Sequence, residues 1–93
     1  MTRSKKTNPS KLEVVVRGVD QLGIAFMRFR RQEGWTQDQA GERSGVKQNI
    51  VSSVESGTVG TRLGTIFKII AALDLELVVR KRRKTANWSE RNS

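Results

Sequence analysis

The chain has no cysteine and no histidine. Without cysteine there is neither a disulfide framework nor a thiolate metal site. Without histidine the Ser–His and Cys–His nucleophile pairs, imidazole general bases and the usual zinc ligands are excluded as well. No apolar run approaches the ~20 residues of a membrane helix. The basic N-terminus is not followed by an apolar stretch with a small-residue cleavage site, so no signal peptide is expected. There is one proline, at position 9. Glycines 57, 60 and 64 in "GTVGTRLGT" fit neither a dinucleotide fingerprint nor a P-loop, and no Gly-Lys-Ser/Thr follows. No group of residues suggests catalysis, no cofactor is implied, and a soluble, cytoplasmic non-enzyme is expected.

What remains is one small domain of 93 residues with net charge +9. A chain of this size buries roughly 60–70% of the surface its unfolded form exposes. That is a modest core, and a dimer or partner would enlarge it. The charge sits at the ends. Residues 1–11 carry Arg3, Lys5, Lys6 and Lys11 and no acid. Residues 80–93 carry Arg80, Lys81, Arg82, Arg83, Lys84 and Arg91 against Glu90 alone, and the middle is balanced. Two basic ends fit a polyanion, of which nucleic acid is the most common. Plain solubility is the alternative.

Residues 1–10 read as a disordered basic arm, 11–82 as the folded domain, and 83–93 as a basic and polar tail. In 11–17, Leu12, Val14 and Val16 alternate with Lys11, Glu13, Val15 and Arg17, the period of a short strand. From Asp20, a candidate cap, Leu22, Ala25, Phe26 and Phe29 recur at helical spacing up to Gly34. Trp35 reads as a core plug. Thr36 and Gln39 make a T-x-x-Q capping box for a two-turn helix that ends at Gly45. A third short helix runs from about Gln48 to Ser56, with Lys47 near its cap. Ile50, Val51 and Val54 form its thin apolar stripe. A fourth carries Leu63, Ile66, Phe67, Ile70 and Leu73, with Gly64 expected to serve a close helix contact. Then Leu75, Leu77 and Val79 alternate with Glu76, Val78 and Arg80, a second strand.

Two short helices joined by a glycine turn form a helix-turn-helix. Ala40 is small where the helices would cross, and Val46, Val51 and Val54 would pin the second helix. Lys47, Gln48, Asn49, Ser52 and Ser53 are left on its free face. Such groups suit base edges in a major groove, since amides can bond an adenine edge twice.

"GWTQDQAGERSGVKQNIVSSVESG" resembles the DNA-binding core of the XRE/Cro-type repressors, and "TRLGTIFKIIAALDLELVVRKR" resembles the end of HipB-type antitoxins. The resemblance covers about residues 20–82. It implies a mainly α, lambda-repressor-like bundle of four or five helices with a short C-terminal strand in an intersubunit sheet. It also implies a homodimer on palindromic operator DNA, autoregulation of the operon, and a HipA-type kinase toxin as partner, in some relatives divided between two chains. By the same resemblance Gln37, Ser56 and Thr58 are phosphate contacts, with Arg43 as a further candidate. Lys47, Gln48, Asn49, Ser52 and Ser53 are the outward positions of the recognition helix.

The strand carrying Leu75, Leu77 and Val79 needs a ladder partner. Its own copy across a two-fold axis and residues 11–17 are both available. Trp88, an aromatic in a polar tail, is a candidate toxin contact. It could also fold back on the domain or stay idle. "RKRRK" could meet phosphates, an acidic toxin surface or water alone. Two other functions compete: a stand-alone regulator without a toxin, and an inhibitor module that has lost DNA binding. Lys47, Gln48 and the basic ends argue against the second.

Overall fold

The computed structural model describes residues 13–58 and 60–82. The arm at 1–10 and the tail at 83–93, with Trp88 and the last two residues of the RKRRK run, lie outside the described residues. Four helices follow one another: α1 (Val19–Gln32), α2 (Gln37–Ser44), α3 (Gln48–Glu55) and α4 (Leu63–Ala72). The architecture is mainly α, as the periodicity predicts. α3 packs against both α1 and α2, and α2 also meets α4.

The core is small and built from the expected stripes. Phe26, Val54, Ile66, Ile69, Ile70 and Leu73 form one buried cluster. Leu22, Phe29, Trp35, Val46, Ile50 and Leu75 close it from the side. Trp35 is therefore the plug its position suggests. On α4 the inward arc centres on Ile66 and Leu73, so Ile69 is buried. Leu63 and Phe67, expected inside, lie at the edge of that arc and are 64% and 45% exposed.

Helix ends follow local rules. The T-x-x-Q box is complete: Gln39 N–H donates to Thr36 Oγ1 at 3.1 Å and Thr36 N–H donates to Gln39 Oε1 at 2.9 Å. Asp20 is not the cap of α1. Gly18 holds that place without a side-chain bond, and Asp20 falls in the first turn, where a carboxylate still suits the helix dipole. At the other ends, α1, α3 and α4 each close with the paired bonds of a Schellman turn. For α4 these are Leu75 N–H to Ile70 O at 2.9 Å and Asp74 N–H to Ala71 O at 3.0 Å. The residue in the left-handed region there is Asp74, at φ 58°. Aspartate is among the few non-glycine residues that tolerate it. The turn folds Leu75 back onto the core.

Glycine serves a close approach at Gly23, not at Gly64. A Cβ at Gly23 would overlap the carbonyl oxygens of Val54 and Glu55, so α1 and α3 touch backbone to backbone there. A Cβ at Gly64 would meet nothing within 4 Å, because that face of α4 is open.

The two segments read as strands form none in the single chain among the described residues. Neither finds a ladder in the other. Glu13 and Val14 instead face Arg28, Phe29 and Gln32 of α1 across a shallow hollow.

The interior also holds an ion pair. Arg30 of α1 and Glu55 of α3 are both buried and paired. Arg30 Nε lies 2.5 Å from Glu55 Oε2, and Nη2 donates to Oε1 at 2.9 Å. Arg30 Nη1 donates to the Trp35 carbonyl at 2.7 Å. The hydrogen bonds to Glu55 raise the Arg30 pKa above its ordinary value, against burial, which lowers it.

Two stability outcomes follow, both read from urea melts. Gly23→Ala is expected to lose several kcal/mol or fail to fold, while Gly64→Ala gains roughly 0.5–1 kcal/mol. Arg30→Met alone should cost about 3–5 kcal/mol by leaving a buried carboxylate unpaired, and the double variant Arg30→Met/Glu55→Leu should recover most of that loss.

Candidate nucleic-acid interface

The candidate surface is built on the turn between α2 and α3. Gly45 ends α2 at φ 72°. This left-handed conformation costs a residue with a Cβ about 1 kcal/mol or more. It lets Val46 N–H reach the Gly41 carbonyl at 2.9 Å. Lys47 then starts α3 as an extended cap whose side chain makes no capping bond. The side chain is consequently uncommitted and exposed. Ala40 is buried at the crossing of the two helices, 5% exposed, as the motif requires.

α3 turns Val51, Val54 and Glu55 inward. Lys47, Gln48 and Asn49 are exposed at its N-terminal end. Ser52 and Ser53 are half-buried. Ser53 borders a depression shared with Val46, Ile50, Thr58, Thr61 and Arg62. The outward face thus divides into an open N-terminal part and a recessed serine part.

Gln37, the first residue of α2, joins this surface. Gln48 Nε2 donates to Gln37 Oε1 at 2.9 Å, and Gln37 Nε2 donates to Glu55 Oε1 at 3.1 Å. A continuous chain of bonds therefore leads from the buried Arg30–Glu55 pair to the exposed amide of Gln48. At the far end of α3, Ser56 Oγ donates to the Ser53 carbonyl at 3.0 Å and lies 3.1 Å from Thr58 Oγ1. Both residues are exposed, so two hydroxyls stand together just past the helix. Arg43 is placed apart from these groups. Its guanidinium lies over the Trp35 ring, 4.7 Å from the centroid, a cation–π contact that covers the outer side of the core plug.

Sequence reasoning missed Arg30 and Glu55. A signal existed: Arg30 follows Phe26 by four residues and Glu55 follows Val51 by four, so each charge falls on the apolar face of its helix. Leu75, Leu77 and Val79 also separate. Leu75 packs on its own core, while Leu77 and Val79 are 53% and 91% exposed with Val78 at 66%. Among the described residues no His/Cys/Asp/Glu group could hold a metal, and no helix is long and apolar enough to cross a membrane.

Comparison with known proteins bears on this geometry. A family model for helix-turn-helix proteins of the HTH_3 type matches residues 26–80. The chain is 37% identical over 59 residues to the antitoxin HipB of Escherichia coli K12. The match covers 63% of this chain and 67% of that protein. A solved structure of HipA, HipB, O2 and O3 in complex contains a chain with TM-score 0.70 and 31% identity, covering 76% of this chain and all of that one. The restriction-modification controller protein C.AhdI from Aeromonas hydrophila is similar at TM-score 0.58 and 29% identity, over 62% of this chain and 84% of its own. The family match spans more than half of the chain, which belongs to the XRE-type helix-turn-helix family, in which it is HipB-like.

Proposed function

We propose that the chain is a sequence-specific DNA-binding repressor and the antitoxin of a HipA-type kinase, and that it autoregulates its operon. The single observation that carries the DNA reading is the exposed trio Lys47, Gln48 and Asn49 at the N-terminal end of α3, with Gln37 bonded to Gln48. In helix-turn-helix proteins that end of the second helix meets base edges. Lysine reaches guanine or phosphate, and the amides bond an adenine edge. The Gln37 backbone N–H at the start of α2, and the Ser56 and Thr58 hydroxyls beyond α3, flank the trio as phosphate contacts. Ser52 and Ser53 are half-buried, and Ser53 is reached only where a groove wall enters the recess beside it. Arg43 serves phosphate only by leaving the Trp35 ring.

The chain acts as a homodimer in the cytoplasm. The exposed Leu77 and Val79 are the apolar face of a strand that gains its ladder from a second copy across a two-fold axis. This places two recognition helices ~34 Å apart and calls for inverted half-sites with centres about 10 base pairs apart or a multiple of that. The toxin partner rests on similarity to HipB, which is found in complex with HipA. The candidate tail contact Trp88 would serve it.

Two measurements test this reading. With duplex from upstream of its own gene, Gln48→Ala and Asn49→Ala are each expected to weaken binding by about tenfold or more, leaving affinity for unrelated duplex unchanged. Unaltered operator affinity in both variants removes the DNA role. In sedimentation, Leu77→Asp/Val79→Asp should shift the protein to monomer, and a persisting dimer shows that the interface lies elsewhere.

A further inference from the structure

Gln48 does not present a free amide. Its orientation is dictated from the interior. The Glu55 carboxylate, held by Arg30, has acceptors only. Gln37 must therefore turn its Nε2 toward Glu55, which leaves its Oε1 pointing out along the chain. That oxygen in turn accepts from Gln48 Nε2. Gln48 is left with a free Oε1 and one free N–H side by side. Adenine presents the matching pair in the major groove, an N6 donor and the N7 acceptor.

The opposite polarity would serve the opposite base. If the residue at 55 could donate, Gln37 Oε1 could turn inward and its Nε2 outward, onto Gln48 Oε1. Gln48 would then offer two N–H groups, which fit the N7 and O6 acceptors of guanine. We infer that Glu55, acting through Gln37, sets the donor–acceptor polarity of the Gln48 amide and so makes the recognition helix select adenine over guanine where Gln48 lands. Glu55 is a positioning residue and touches no DNA. The inference rests on the DNA-binding reading above and adds which base is chosen and why. It also gives the buried ion pair a use beyond cohesion, since a carboxylate at that position cannot flip its hydrogen-bonding sense as an amide can.

The test uses the full chain and duplexes it selects from a randomised library. The relevant base pair is the one whose preference disappears in Gln48→Ala. Affinities are compared for duplex pairs that differ only by A·T against G·C there. The native chain is expected to prefer adenine by about tenfold or more. In Glu55→Gln the adenine-to-guanine ratio should fall by roughly fivefold or more, with affinity for unrelated duplex held within about twofold. In a Gln37→Met background, Glu55→Gln should have no further effect on the ratio, because the connection is already cut. Should Glu55→Gln fail to fold, Arg30→Met/Glu55→Leu removes the carboxylate within an apolar replacement of the pair, and the same fall is expected. A folded Glu55 variant that keeps the full adenine preference overturns the inference. So does an equal fall with and without Gln37, which would mean that Glu55 acts through the fold. If the native chain selects no sequence, or Gln48→Ala changes none, it is the DNA reading itself that fails.

Discussion

The bidentate pair between Arg30 and Glu55 is the constraint on which the candidate site depends. It ties α1 to α3 and, through the Trp35 carbonyl, fixes the entry to α2. Two charges withdrawn from water are tolerable only when each is fully met by a partner. Here the guanidinium has three contacts and the carboxylate three, including the one from Gln37. A core this small gains little from apolar burial alone. The pair adds direction, which apolar contacts lack: α3 can sit against α1 in one rotation only.

That rotation is reinforced by backbone geometry. Gly23 lets α1 approach the last turn of α3 so closely that no side chain could intervene. Schellman closures at the helix ends set the angle at which the chain leaves. At α4 the closure returns Leu75 to the core and sends Leu77 to Val79 outward. Among the described residues, exposed apolar side chains fall in two groups: Leu63, Phe67, Leu77, Val78 and Val79 on α4 or the segment after it, and Val14, Val15, Val19 and Ile24 on α1 or the segment before it. The group at α4 holds the most exposed of them, Val79 at 91%, and fits a surface covered by another chain. The recognition surface, by contrast, is polar and built on the α2–α3 turn. On the proposed function, base reading and association would draw on different parts of the same bundle.

Much of this was legible in the residues. Periodicity located all four helices, the T-x-x-Q box placed the start of α2, and Gly34, Gly45 and Gly57 marked the stops of α1, α2 and α3. These features are local, set by bonds spanning three to five residues. The outward position of Lys47, Gln48 and Asn49 followed from the same periodicity. Periodicity misled where a helix edge meets solvent, as at Leu63 and Phe67, and where a small residue was assumed to mean a crowded one, as at Gly64. The alternation of Leu75, Leu77 and Val79 describes a strand, yet backbone ladders need a neighbour, and one chain does not supply it.

What the sequence alone determined is the set of elements, their order and the chemistry of the exposed amides, because each depends on side chains a few positions apart. Only tertiary structure decided that Arg30 meets Glu55, that Glu55 meets Gln37, and that Gln37 meets Gln48. Those contacts join residues 25, 18 and 11 positions apart. Separations of that size carry no periodic signature, since what brings the groups together is the packing of α1, α2 and α3 against one another.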